Sequence, residues 1–214
     1  MLKRIVFIKL IFLLISSCSY EKKFDSSYYC RNLKLSCFSE NRTVTFKTSK
    51  GDLEVELFGV DNPVTVSNFI RNIKNNIYAN QKFYKIINFP QSKVIHSGIN
   101  PSNNDYLDTS QMQNKLPPFI PLEIGFKKKS EPKYKYQIND TAEIDKVKKF
   151  FQKGSLAMVK SGEVNSSSTE FFFVTNSLPA LDGRYAIFGE IVKGIEILDK
   201  LEKKDFIYEI KILN

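Results

Sequence analysis

The chain has 214 residues, of which 42% are hydrophobic, with 18 Phe, no Trp and a formal charge of +9. That length points to one domain plus attachments, with enough apolar content to bury a core of Phe, Ile, Leu and Val. The lysines are spread along the chain, with Lys127–Lys129 the densest run, so the charge reads as a solvated basic face and not as a focused nucleic-acid surface.

In chain order, Met1–Ser17 places Lys3, Arg4 and Lys9 around the start of an apolar run, Leu10–Ile15. This is a signal-peptide layout, too short for a comfortable bilayer span. The next residues, Ile15-Ser16-Ser17-Cys18, resemble the bacterial lipobox. The resemblance implies a diacylglyceryl group on the Cys18 thiol and a lipid-anchored protein of the cell envelope, on the periplasmic face or the cell surface. Two or more acyl chains anchor stably where one is marginal. Such an exported address also argues against a nucleic-acid partner. Loss of residues 1–17 lowers the charge from +9 to about +6. Lipidation of Cys18 leaves Cys30 and Cys37, which either close a small loop in an oxidising compartment or stay as two thiols. There is no Cys-x-x-Cys or Cys/His cluster, so no metal site is expected. Ser19–Asn41 is polar and aperiodic and reads as a flexible tether behind Cys18. The domain is expected over residues 42–214.

Val44 and Phe46 alternate with polar neighbours, as do Leu53, Val55 and Leu57 after the turn residues Ser49-Lys50-Gly51-Asp52, a hairpin signal. Asp61-Asn62-Pro63 starts a helix that carries Val66, Phe69, Ile70 and Ile73 at helical spacing to about Asn75. Phe83–Ile87 and Phe119–Ile124 read as strands. Pro101–Pro118 is irregular and Gly125–Thr141 is charged, so an insertion is expected at about 101–141. Ala142–Gln152 reads as a short helix. Strands follow at Ser155–Val159, Phe171–Thr175, Ala186–Val192 and Phe206–Leu213, with a helix at Ile195–Glu202. Many short strands and two well-supported helices predict a mainly β, closed or nearly closed antiparallel barrel with helices over its ends.

No glycine-rich phosphate loop, nucleophile elbow or glycosidase-like acid pair stands out. Read together, however, NPVTVSNFI, FYKII, KGSLAMV, NSSSTEFFFVT and LDGRYAIFGEIVKGIEILDKL resemble a cyclophilin-type peptidyl-prolyl cis-trans isomerase over about Arg42–Leu213. The resemblance implies a closed eight-stranded antiparallel barrel capped by two α-helices. It also implies rotation about Xaa-Pro amides without a cofactor, acting as a monomer on proline-containing polypeptides. The barrier is ~18–20 kcal/mol of amide resonance. A donor aimed at the proline nitrogen and an apolar slot for the ring lower it by complementarity to the twisted amide.

Carried over by position, the resemblance puts Lys85 where the family has a catalytic Arg, in Phe83-Tyr84-Lys85-Ile86. A planar fork becomes one flexible ammonium. His96, the only histidine, stands at a substrate-binding Gln, with Lys93 at an aromatic wall of the slot and Val94 as a further substrate-binding residue. Lys160 and Glu170 take further polar substrate-binding positions. Phe172 is the expected floor of the proline slot, with Leu181 and Tyr185 as its walls. The same residues read without the family as a solvated strand lysine, an edge histidine and plain core. The functional expectation is a membrane-tethered isomerase that assists exported proteins. The alternative is a weak or inactive module of the same fold that binds proline-containing segments or envelope partners.

Overall fold

The computed structural model describes residues 25–99, 119–160, 162 and 164–213. Cys18 and the signal-like segment lie outside these residues, as does the whole irregular stretch 101–118.

The expected hairpin is present as β1 (Arg42–Thr48) and β2 (Gly51–Leu57), paired in unbroken register from Arg42 with Leu57 to Thr48 with Gly51. Helix α2 (Pro63–Lys74) follows, with Pro63 in its first turn. Val66, Phe69, Ile70 and Ile73 all point into the core. Phe69 alone meets four rings, with centroids 4.8 Å from Tyr78, 5.0 Å from Phe188, 5.5 Å from Phe171 and 6.1 Å from Phe46. Asn62 makes no side-chain cap of its own. Instead Glu123, fully buried, accepts from the backbone amides of Val64 at 3.1 Å and Thr65 at 2.6 Å and from the Thr65 hydroxyl. A carboxylate at a helix start satisfies otherwise orphaned amides and meets the positive end of the helix dipole.

The remaining strands are β3 (Gln81–Lys82), β4 (Lys85–Asn88), β5 (Lys93–Ser97), β6 (Phe119–Pro121), β7 (Glu123–Ile124), β8 (Lys133–Tyr134), β9 (Ser155–Lys160), β10 (Asn165–Val174), β11 (Ile187–Lys193) and β12 (Phe206–Ile212). The main sheet runs β3-β12-β1-β2-β11-β9-β10-β5-β4, with β6 on β10, and β7 pairs β8 separately. The path ends on two strands separated in sequence by Phe83 and Tyr84 alone, yet no ladder joins β3 to β4 among the described residues. The expectation of a closed eight-stranded barrel is therefore corrected to a curled antiparallel sheet that stays open. The physical reason lies at Phe83. Its amide donates to the Asp205 carbonyl and its carbonyl accepts from Lys204, so its backbone groups serve the loop before β12, while its ring is fully buried.

The two capping helices are also unequal. Only α2 is long. The expected Ile195–Glu202 helix is a single turn, α4 (Ile195–Leu198), which closes over β2. The expected Ala142–Gln152 helix shrinks to α3 (Thr141–Ile144), capped by the Asp140 carboxylate. Beyond it, Lys148 N donates to the Gly125 carbonyl and Phe126 bridges Val147, so this chain lies extended against its neighbour. The expected strand Phe119–Ile124 breaks at Leu122 into β6 and β7.

Two attachments prove to be folded. Residues 25–41, expected as tether, hold helix α1 (Ser26–Asn32) and a Cys30–Cys37 disulfide. Cys30 packs with Val64 of α2 and Ile120 of β6. Arg71 donates to the Leu33 carbonyl at 3.2 Å, and Phe38 N donates to Ser67 Oγ at 2.9 Å. The charged segment after β7 likewise buries Phe126 and Ile138 in a small cluster with Leu122, Ile124, Val147 and Ala186.

Candidate active site

Strand alternation turns Phe171 and Phe173 inward, into the cluster with Phe46 and Phe69, and turns Phe172 to the outer face. Register then assembles a row across four strands. Ala157 of β9 opposes Phe172 of β10, Phe172 opposes His96 of β5, and His96 opposes Lys85 of β4. Directly opposed residues share a face, so Lys85, His96 and Phe172 stand side by side. The connection 89–92 between β4 and β5 is closed by Phe89 N, which donates to the Ser92 carbonyl. On the same face as His96, Val94 stands opposite Val174.

The floor is a ring stack. His96 lies 5.5 Å from Phe172 at 29°, Phe151 lies 5.8 Å from it at 13°, and Tyr185 meets it edge-on at 5.3 Å. Leu181 packs against the same cluster. Phe172 is only 2% exposed and Val94 only 4%. Both act first as packing, and the faces left to a ligand belong to His96, Tyr185 and Leu181. Lys85 is exposed beside them.

Electrostatics follow from this crowding. Burial, with the Lys85 charge beside it, pushes the His96 imidazole down to about 4, so it is neutral near pH 7. Its Nε2 is buried without a hydrogen-bond partner. Glu170 accepts from the Tyr84 hydroxyl at 2.6 Å. Burial raises its pKa, against the pull of hydrogen bonds from Tyr84 and Ser167 and the Lys85 charge. Lys160 donates to the Gln137 carboxamide oxygen and stands 5.9 Å above the Tyr185 ring.

The backbone near the site is held from both sides. Asn68 and Asn72 of α2 both donate to the Ser168 carbonyl, at 2.6 and 2.7 Å. Across from them, Gly98 sits at φ +92°, and a Cβ there would fall 2.2 Å from the Thr169 carbonyl. Only glycine permits β5 to approach β10 so closely at that φ.

Every residue expected at the site thus converges on one patch. Lys85, His96, Val94 and Phe172 come by register, Leu181 and Tyr185 from the turn before β11, Glu170 from β10 itself and Lys160 from β9. Three participants were not foreseen. Phe151 stacks on the floor, Tyr84 holds Glu170, and Gln137 holds Lys160. A helix reading hid Phe151. Tyr84 carried a signal in its place beside Lys85. Gln137 carried none, since it arrives from an insertion. Among the described residues no group of three His, Cys, Asp or Glu could hold a metal.

A family model described as "Cyclophilin type peptidyl-prolyl cis-trans isomerase/CLD" matches residues 43–213. A peptidyl-prolyl cis-trans isomerase of Acinetobacter baylyi is 25% identical over 166 residues, 75% of this chain and 72% of its own length. A putative thylakoid lumen peptidyl-prolyl cis-trans isomerase of Synechocystis is 29% identical over 183 residues. The match covers 80% of this chain but spans about half, 47%, of that relative. Among solved structures, a cyclophilin-type isomerase of Cryptosporidium parvum shares the fold at TM-score 0.55 and 23% identity, over 82% of this chain and 99% of its own, and has also been solved in the presence of the dipeptide Ala-Pro. A cyclophilin of Hirschia baltica gives 0.56 at 14% identity, over 89% of this chain and 81% of its own. The chain belongs to the cyclophilin-type peptidyl-prolyl cis-trans isomerase family.

Proposed function

We propose that this chain isomerises Xaa-Pro bonds in exported polypeptides while anchored to a membrane through Cys18. The observation that carries the catalytic part is the Lys85–His96–Phe172 row, which sets one cation beside a neutral ring and an aromatic floor. In this reading Lys85 is the catalytic donor to the proline nitrogen, His96 and Tyr185 flank the ring, and Leu181 closes the slot. Glu170, fixed by Tyr84, draws the flexible ammonium toward the floor. No proton is transferred, because stabilising the twisted amide is sufficient. Neutral His96 is therefore a binding group and not a general base.

Export is supported by the Cys30–Cys37 disulfide, since such bonds persist in oxidising compartments, and by the thylakoid-lumen description of one relative. Labelled palmitate that still enters the Cys18→Ala chain would overturn the anchor.

The catalytic assignment is tested by isomerisation of a proline peptide with the full chain. Lys85→Ala is expected to lower kcat/KM by about 10-fold or more, and Lys85→Arg to raise it, because a planar fork is better oriented than an ammonium. A rate that Lys85→Ala leaves unchanged rejects Lys85 as donor. The near-complete cover over Phe172 favours one second reading, a module that binds proline segments without turnover. Peptide-induced NMR shifts at Tyr185 without faster exchange would support it.

A further inference from the structure

We propose that the site selects proline segments flanked by acidic residues, with Lys160 as the specificity-determining residue and Gln137 as the residue that positions it. This deepens the isomerase reading and rests on it. Three lysines stand around the Phe172 cluster. Lys85 comes from β4 and Lys160 from β9, while Lys149 lies 3.5 Å above the Phe58 ring of the same cluster. Among the described residues none of the three has a carboxylate within ion-pairing distance, whereas some lysines elsewhere do. Lys148 meets Asp61 at 2.5 Å, Lys153 meets Asp199 at 2.5 Å and Lys193 meets Glu54 at 2.9 Å. The two acids that reach the cluster are already engaged. Glu170 holds the Tyr84 hydroxyl, and Asp182, 5% exposed, accepts from Phe151 N at 2.7 Å. Among the described residues the rim therefore carries an excess of positive charge around an apolar floor, with Glu170 offsetting part of the Lys85 charge.

Lys160 differs from the other two in being held by a hydrogen bond. Its partner, Gln137, is a neutral amide, which fixes the ammonium without cancelling its charge. Gln137 is in turn pinned to the wall of the slot. Ile138 N donates to the Gly183 carbonyl at 3.0 Å, and the Ile138 side chain fills the space that a Cβ on Gly183 would occupy, 2.9 Å away. An ammonium already ordered in this way loses less side-chain entropy on meeting a carboxylate than a free surface lysine. The inserted segment thereby becomes one wall of the substrate path.

The test uses the full chain and two peptide series, Xaa-Pro and Pro-Xaa, with Xaa as Glu, Gln or Lys. Isomerisation is read as kcat/KM, and affinity independently by NMR titration. In at least one series Glu is expected to be favoured over Gln by about fivefold in both readouts, with Lys disfavoured, and 1 M salt should erase most of the difference. Lys160→Gln and Gln137→Ala should shrink the Glu/Gln ratio, and Lys160→Glu should reverse the order of Glu and Lys. Equal affinity for Glu and Gln in both series, or a preference that Lys160→Gln and Lys160→Glu both leave intact, overturns the proposal. Selective binding with no turnover on any peptide would sustain the selection and reject the isomerase reading, so the two failures are distinguishable.

Discussion

Phe171 and Phe172 are adjacent, chemically identical and both almost fully buried, yet they belong to different regions. On the inner face, Phe171 touches Phe46, Phe69, Tyr78 and Phe173. On the outer face, Phe172 touches a histidine and a tyrosine, with Lys85 one strand further along the same row. The inner region is a close-packed solid whose only task is cohesion. The outer region trades some of that cohesion for polar atoms left without partners, such as His96 Nε2. Burial alone therefore does not separate structure from function. What separates them is whether the neighbours compete for a ligand or for each other.

The sharpest way to break the comparison is to cut each region by the same amount. Phe69→Ala or Phe171→Ala should cost about 3–5 kcal/mol, read as the urea midpoint multiplied by the m-value. Phe172→Ala should cost less, because Tyr185 and His96 at the rim can settle into the gap, while the proline-peptide affinity falls more than the stability. Equal stability losses would show that the outer stack is core by another name.

A smaller effect concerns the segment before β1. The eight-residue loop closed by Cys30–Cys37 restricts the unfolded chain by about 2 kcal/mol on loop-closure grounds. Reduction should lower the melting temperature by several degrees and loosen Tyr29 from Tyr134, visible in near-ultraviolet dichroism. The outer-face row should be unaffected, since neither cysteine touches it.

The smallest effect depends on pH and opposes two buried groups. The folded pKa of His96 is depressed to about 4 from an ordinary 6.5, so between those values the unfolded chain takes a proton that the native chain refuses. Stability from this group falls as pH drops through that window. Burial raises Glu123 to about 7 from 4.5, against hydrogen bonds from Thr65 and Val64. Its native state binds the proton first, so its contribution rises as pH drops from 7 to 4.5. Each is worth on the order of 3 kcal/mol. The two should largely offset each other in the unaltered chain. His96→Gln should become more stable on acidification and Glu123→Gln less stable, measured as urea midpoints between pH 4.5 and 7.

Much of this was legible in the sequence, for identifiable reasons. The hairpin β1–β2, α2 and the inner strands carry strict periodicities of 2 and 3.6, and their packing obeys them. Phe172 between two core phenylalanines follows from alternation alone. The openness of the sheet was not legible, because it depends on how the Phe83 backbone groups are shared with residues more than a hundred positions away. Nor was the fold of residues 25–41, whose polar composition hides three anchoring contacts to α2. Gln137 and Glu123 act through partners distant in sequence, so neither pattern nor spacing announces them.

The docking of residues 25–41 on α2 has a geometric consequence for the lipid anchor proposed at Cys18. With the 23 residues 19–41 all free, the domain could have ranged some 80 Å from the bilayer. With the chain secured from Asp25 onward, only residues 19–24 connect it to Cys18, a span of at most about 25 Å. The domain is then less a buoy on a line than a fixture near the lipid headgroups. Its catalytic face would meet clients as they emerge from or skirt the membrane, and a polypeptide diffusing freely in the surrounding space would be the rarer visitor.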